Sequence, residues 1–120
     1  MIEAVLTRRP GALRLELSGH AGAAPAGQDL VCAAASALCW ACIGYVSKLY
    51  GEGRLCRAPE LTAVKGRAFI CAQAKAGCAR ELDGAAGLVE AGLALLSKNF
   101  PGNISFITCR ADGREEIYKK

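Results

Sequence analysis

The residues with the clearest chemical potential are a histidine and a cysteine twelve positions apart. His20 is the only histidine, and Cys32 lies in the segment Asp-Leu-Val-Cys-Ala-Ala-Ala-Ser that runs from Asp29 to Ser36. Asp29 is a favourable N-cap, because its carboxylate can accept hydrogen bonds from amides in the first turn of a helix. Cys32 is then predicted at the third helical position, where unpaired amides and the helix dipole favour a thiolate. The two residues could therefore form a cysteine nucleophile with its base.

Each of these residues also has a plainer interpretation. A reduced cysteine is usually a small buried hydrophobe, and a single histidine is often an exposed loop residue. Ser36 shares a helix face with Cys32, so it could orient the histidine, contact substrate, or only bond a carbonyl one turn back. Asp29 could orient His20, although the cap is its favoured role. The distance between the imidazole and the sulfur decides between these interpretations.

Small residues fill the stretch between the histidine and the cap, residues 21–28. Such a stretch is expected to be pliable and to close over a bound peptide as lids do. The residues expected to contact the substrate there are Gly22, Pro25 and Gly27.

The cysteines raise the question of disulfides and metals. All seven, at positions 32, 39, 42, 56, 71, 78 and 109, are expected to be reduced in a cytoplasm, because the start of the chain lacks the layout of a secretory signal. Cys39 and Cys42 form a Cys-x-x-Cys pair inside a predicted helix. No second ligand pair is spaced to match, so no zinc site is expected and no cofactor is needed.

Composition indicates a single domain, residues 1–120, of modest basic charge. The net charge of +4 is too weak, and the basic residues too scattered, to predict direct nucleic-acid binding. Residues 30–47 carry no charge and reach the length of a membrane span. Ala, Ser, Cys and Gly dominate them, so a buried core helix is expected, with no membrane association.

Alternation and helical spacing predict the order β-β-α-β-β-α-β. The predicted strands are 1–8, 12–18, 61–64, 67–75 and 103–110, the last with a short extension into the tail, and the predicted helices are 29–51 and 80–98. This order favours an α+β two-layer domain, with both helices on one face of a mostly antiparallel sheet.

The first helix is predicted to bury one stripe of side chains and to carry a second stripe beside it. The buried stripe is expected to be Val31, Ala34, Leu38, Cys42, Tyr45 and Leu49. The neighbouring stripe is expected to be Cys32, Ser36 and Cys39.

On these residues the chain resembles the Prp family of bacterial ribosomal-processing cysteine proteases. The resemblance rests on Gly-His-Ala at 19–21 and Gly-x-Asp-Leu-Val-Cys-Ala-Ala-x-Ser at 27–36, with the family's separation of histidine and cysteine. It implies a homodimer of two-layer α+β domains, with a catalytic pair at His20 and Cys32 and a supporting acid and serine at Asp29 and Ser36. It also implies the reaction: the family removes an N-terminal extension from the twenty-seventh protein of the large ribosomal subunit.

The expected chemistry is peptide hydrolysis through an acyl-enzyme. Cys32 attacks the scissile carbonyl, and His20 holds the proton, passes one to the leaving amine and then activates water. The backbone amides of Val31 and Cys32 are the expected oxyanion donors.

Two other functions stay open at this point. One is a ribosome-associated binding protein without catalysis, suggested by the basic charge. The other is a thiol redox protein or sulfur carrier that uses Cys32 together with Cys39 or Cys42.

Overall fold

The computed structural model describes residues 1–20 and 29–110. The predicted α+β class and element order are confirmed, and every predicted boundary lies within two residues of the observed one. The elements are β1 (Ile2–Arg9), β2 (Ala12–Ser18), α1 (Leu30–Gly51), β3 (Glu60–Val64), β4 (Arg67–Gln73), α2 (Ala79–Asn99) and β5 (Ile104–Arg110). The predicted strand in the tail and the predicted substrate residues Gly22, Pro25 and Gly27 lie outside the described residues.

The five strands form one sheet in the order β3-β4-β2-β1-β5. Neighbours are antiparallel except β1 and β5, which run parallel. Alternation along each strand sends one set of side chains towards the helices and the other towards the opposite, bare face. The buried set of the first two strands includes Ile2, Ala4, Leu6, Leu13, Leu15 and Leu17. The antiparallel register of β2 and β4 pairs Ser18 with Arg67, which brings the end of β2 to the start of β4.

The buried face of α1 differs from the predicted stripe. Val31, Cys42 and Leu49 are buried as predicted, whereas Ala34, Leu38 and Tyr45 are only partly buried. The other buried positions are Ala35, Cys39 and Val46. The prediction was wrong at these positions because nearly every residue of α1 is apolar or small, so the pattern does not single out one face. Contact with the sheet and with α2 selects it.

Leu38 faces α2 rather than the sheet. A methyl group added at Gly92 would lie 2.8 Å from Cδ2 of Leu38, so the two helices approach closely at this glycine. Among the described residues, α1 is the one helix whose length and apolar composition would allow it to cross a membrane. Here it packs its inner face against the sheet as the expected core helix.

Asp29 caps α1, as predicted. Its Oδ1 accepts hydrogen bonds from the amides of Val31 at 3.1 Å and Cys32 at 3.0 Å. The Asp29 carbonyl accepts from the amide of Ala33 at 3.0 Å, which closes the first helical turn. The cap therefore determines where the helix begins and places Cys32 at its third position.

Substitutions of Asp29 test the energetic weight of this cap. Asp29→Ala removes the acceptor of two amides and should lower the free energy of unfolding by about 1 kcal/mol. Asp29→Asn keeps an oxygen at the same place and should cost distinctly less, because asparagine and aspartate cap helices about equally well. Urea unfolding followed by circular dichroism measures both. Equal losses in the two variants would contradict the capping role.

Candidate active site

The two predicted catalytic residues come from two different segments, the end of β2 and the start of α1. His20 follows β2, whose end pairs with the start of β4. The other end of α1 is joined to the far end of β4, because the Arg54 amide donates to the Leu49 carbonyl and the Arg54 carbonyl accepts from Lys75. Cys32, in the first turn of α1, lies at the opposite end of the helix from this joint.

The turn between β3 and β4 supports the histidine. The Gly19 amide donates a 2.9 Å hydrogen bond to the Gly66 carbonyl, which extends the pairing of β2 and β4 by one residue. A methyl group at Gly66 would lie 3.0 Å from Nε2 and 3.3 Å from Cε1 of His20. The imidazole therefore rests directly against the tip of this hairpin.

Both glycines have backbone conformations that other residues rarely adopt. Gly19 has a φ of 93° and Gly66 a φ of 79°. A methyl group at Gly19 would also overlap the carbonyl oxygen of Met1. Gly19 is thus required by sterics as well as by its torsion angle, which gives a physical reason for a glycine directly before His20.

His20 and Cys32 differ in their surroundings. The imidazole is exposed, whereas Cys32 is partly buried and packs against the hydrophobic core. The Cys32 amide donates a hydrogen bond to Oδ1 of Asp29, so the predicted cap directly contacts the backbone of the predicted nucleophile. A hydrogen bond between imidazole and sulfur stays a prediction.

The predicted oxyanion donors are engaged by the cap. The amides of Val31 and Cys32 both donate to Oδ1 of Asp29. An oxyanion at the same place would compete with this carboxylate oxygen. The two predictions, a cap at Asp29 and oxyanion donors at the next two amides, therefore draw on the same hydrogen atoms. The sequence already carried this signal, since an N-cap side chain binds the second and third helical amides.

Ser36 lies one helical turn after Cys32 and is exposed. Its position leaves the side chain accessible from outside the domain. Its two suggested roles, orienting His20 and contacting the substrate, stay predictions.

The buried thiols are poorly suited to chemistry. Burial raises the pKa of Cys39 to about 11, and burial together with the neighbouring Cys39 raises the pKa of Cys42 to about 12. Burial also raises the pKa of Cys71 to about 11. Cys32 and Cys39 are separated by about 10 Å of helical rise, which is too far for a disulfide. Within residues 1–20 and 29–110, no three or more His, Cys, Asp or Glu side chains are grouped to hold a metal ion.

A shallow cavity of about 350 Å³ lies on the bare face of the sheet. Its lining includes Glu3, Ser18, Arg67, Phe69, Ser105 and Ile107. Ser18 and Arg67 directly adjoin Gly19 and Gly66, so the cavity lies next to the support of the histidine.

The sequence predicted the cap at Asp29, but it gave no indication of the contact between Gly66 and His20. A Lys-Gly pair was recognised only as a turn between two strands. Its contact with the imidazole depends on the pairing of β2 with β4, which joins segments nearly fifty residues apart.

Comparisons with known proteins identify the family. The family model described as cysteine protease Prp matches residues 1–105. The S. aureus ribosomal processing protease Prp with a covalently linked product peptide has a TM-score of 0.67 and 22% identity, over 90% of this chain and 99% of that one. The same protease with a substrate peptide has a TM-score of 0.61 and 21% identity, over 90% and 99% of the two chains.

A further solved structure, SMU.848 from Streptococcus mutans, has a TM-score of 0.64 and 24% identity, over 92% of this chain and 96% of that one. No curated protein sequence matches. The solved structures show that the fold is shared, and the family model extends over both predicted catalytic residues. The chain belongs to the Prp family of cysteine proteases.

Proposed function

We propose that this protein is the endopeptidase that removes an N-terminal extension from the twenty-seventh protein of the large ribosomal subunit during ribosome maturation. The observation that carries the proposal is the family match over residues 1–105, which includes His20 and the capped helix start with Cys32. The similar S. aureus protease was solved with a substrate peptide and with a covalently linked product peptide. These complexes support a peptide as the substrate of this chain.

The proposed reaction uses Cys32 as nucleophile and His20 as base and acid. The thiol proton passes to the imidazole, and the sulfur attacks the scissile carbonyl. The imidazolium then gives a proton to the leaving amine, which leaves a thioester on Cys32. Water, deprotonated by the same imidazole, attacks the thioester and releases the carboxylate product and the thiol. The sequence of steps consumes only water and needs no metal or cofactor.

The cap adds a requirement to this mechanism. The tetrahedral intermediate carries a negative oxygen, and Oδ1 of Asp29 is a negative oxygen bound to the proposed donor amides. Two anions at one pair of amides repel each other. The proposal therefore requires the carboxylate to release at least one amide when the peptide reacts. In its alternative role Asp29 would then turn towards His20, with Ser36 as the supporting hydroxyl.

The segment with Gly22, Pro25 and Gly27 is proposed to contact the peptide. The basis of this proposal is that the segment joins His20 directly to Asp29 in the sequence. We also propose a cytoplasmic location, where the seven cysteines stay reduced; the structure carries them as thiols.

A homodimer is proposed through the outer face of the helices. A groove of about 350 Å³ between them is lined mainly by apolar groups, among them Leu38, Ala41, Tyr45, Ala85 and Leu88. Leu88, which lines this groove, is 70% exposed. A second copy would cover these side chains, since apolar surface of this kind is favourably removed from water.

The two alternative functions fare differently. A redox pair of Cys32 with Cys39 or Cys42 is disfavoured, because both partners are buried and more than 10 Å of helical rise from Cys32. The other alternative, a binding protein without catalysis, can be tested by measuring RNA binding. It predicts salt-sensitive RNA binding that Cys32→Ala leaves unchanged.

Cleavage of the ribosomal protein is the direct test of the proposed reaction. The protein should cut a peptide that spans the extension, and mass spectrometry should find both products. Cys32→Ala should abolish cleavage, and His20→Ala should lower kcat at least a hundredfold, since a positioned base contributes about 10²–10⁴. Cys56→Ala is the matched control, because it removes an exposed thiol outside the site. Cleavage that persists in Cys32→Ala would refute the assignment.

Thiol labelling tests whether Cys32 is activated. With iodoacetamide at mildly acidic pH, Cys32 should be alkylated faster than the exposed Cys56 and Cys109, because the helix start and an imidazolium both favour a thiolate. Cys39, Cys42 and Cys71 should label last, because burial raises the pKa of each. Peptide mapping of the alkylated chain gives the order. If Cys56 and Cys109 react as fast as Cys32, the thiol is not activated.

The dimer is tested by light scattering on a size-exclusion column. The native chain should elute with twice its monomer mass, and Leu88→Glu should shift it to the monomer by placing a charge in the groove. Ile107→Glu is the matched control, because Ile107 is 58% exposed on the bare face of the sheet. Dissociation by Ile107→Glu alone would place the contact on that face instead.

A further inference from the structure

We propose that Gly66, at the turn between β3 and β4, is the positioning residue of His20. The hairpin tip forms the surface against which the imidazole is seated, and a Cβ atom at residue 66 would lie close enough to the ring to make it shift. The effect on catalysis rests on the proposed function, whereas the effect on the orientation of the ring does not.

The contact between Gly66 and the ring is close and specific. A Cβ atom at residue 66 would lie 3.0 Å from Nε2, 3.3 Å from Cε1 and 3.9 Å from Cδ2 of His20. The Nε2–Cε1 edge of the ring therefore faces the glycine. A methyl group there would push this edge away, and rotation of the His20 side chain is the cheapest response.

The backbone holds the two residues together. The Gly19 amide donates to the Gly66 carbonyl at 2.9 Å, directly beyond the last paired residues of β2 and β4, Ser18 and Arg67. A Cβ atom at residue 19 would overlap the carbonyl oxygen of Met1, so this position requires a glycine. His20 thus leaves the sheet from a backbone position that the hairpin turn determines.

An exposed catalytic histidine needs a contact outside the core that orients its ring, and the hairpin tip provides one. His20 is exposed and follows the end of its strand, so packing in the core does not orient it. Proton transfer needs the ring nitrogen within hydrogen-bond reach of the sulfur, and a displacement of about 1 Å can cost about a hundredfold in rate. Contact with the hairpin tip limits the positions that the ring can occupy.

The experiment compares Gly66→Ala with Gly77→Ala. Gly77 has a φ of 84°, close to the 79° of Gly66, and a Cβ atom there meets nothing within 4 Å. Both variants therefore carry the same backbone strain, and only Gly66→Ala meets the imidazole. Gly66→Asn is a second variant, because asparagine tolerates this backbone conformation but still adds a Cβ atom.

The single histidine gives a readout that does not depend on activity. His20 is the only imidazole in the chain, so its ring signals in nuclear magnetic resonance are assigned without ambiguity. Gly66→Ala and Gly66→Asn should shift these ring signals, while Gly77→Ala leaves them as in the native chain. In cleavage, the two Gly66 variants should lose about tenfold or more in kcat with little change in KM.

The outcomes separate the positioning role from the proposed function. If the ring signals of Gly66→Ala and Gly66→Asn match those of Gly77→Ala, Gly66 does not position His20. If kcat falls equally in all three variants, the effect comes from backbone strain, and the positioning role is likewise refuted. If the native chain cuts no ribosomal peptide while the ring signals shift as expected, the proposed function fails and the positioning role stands.

Discussion

The pairing of β2 with β4 is the interaction on which the site depends. It aligns Ser18 with Arg67 and continues for one more hydrogen bond, from Gly19 to Gly66. Without that register, His20 would leave the sheet as an unsupported loop residue. With it, the ring lies against a hairpin tip that belongs to a segment far along the chain. The steric demands on Gly19 and Gly66 follow from the same register, since each glycine closely approaches a neighbouring segment.

The start of α1 is the second feature on which the site depends. Helix capping and the proposed catalysis need the same backbone amides there. Asp29 stabilises the helix by binding the amides of Val31 and Cys32. Hydrolysis of a peptide calls for donors aimed at a developing negative oxygen in the same region. One carboxylate thus stabilises the resting protein, and in the proposed mechanism its release frees the donor amides for the reaction. Such coupling makes Asp29 more than a cap in the proposed mechanism.

The helix layer shows how a chain rich in small residues builds a core. Close approach of α1 and α2 at Gly92 buries small side chains effectively, because dispersion contacts depend on short distances. Cys39 and Cys42 act there as small hydrophobes with raised pKa values. Leu88, in the groove between the two helices, stays exposed, which is the basis for the proposed dimer.

Much of this could be predicted from the sequence. Strand alternation, helical spacing and turn residues are local signals, so the element order, the cap at Asp29 and the position of Cys32 in the first turn followed from short segments. The buried face of α1 did not follow, because Ala34 and Ala35, or Leu38 and Cys39, are equally plausible core residues in a helix with so little polar contrast.

By itself, the sequence determined which residues can do chemistry and the local structure that holds the cysteine. Only the tertiary structure decided what holds the histidine. Gly66 is separated from His20 by a helix and a strand, α1 and β3, and no local pattern links them. The contact exists because β4 pairs with β2 in one register. That register depends on which faces of both strands are buried against the helices, a property of the packed domain rather than of either segment.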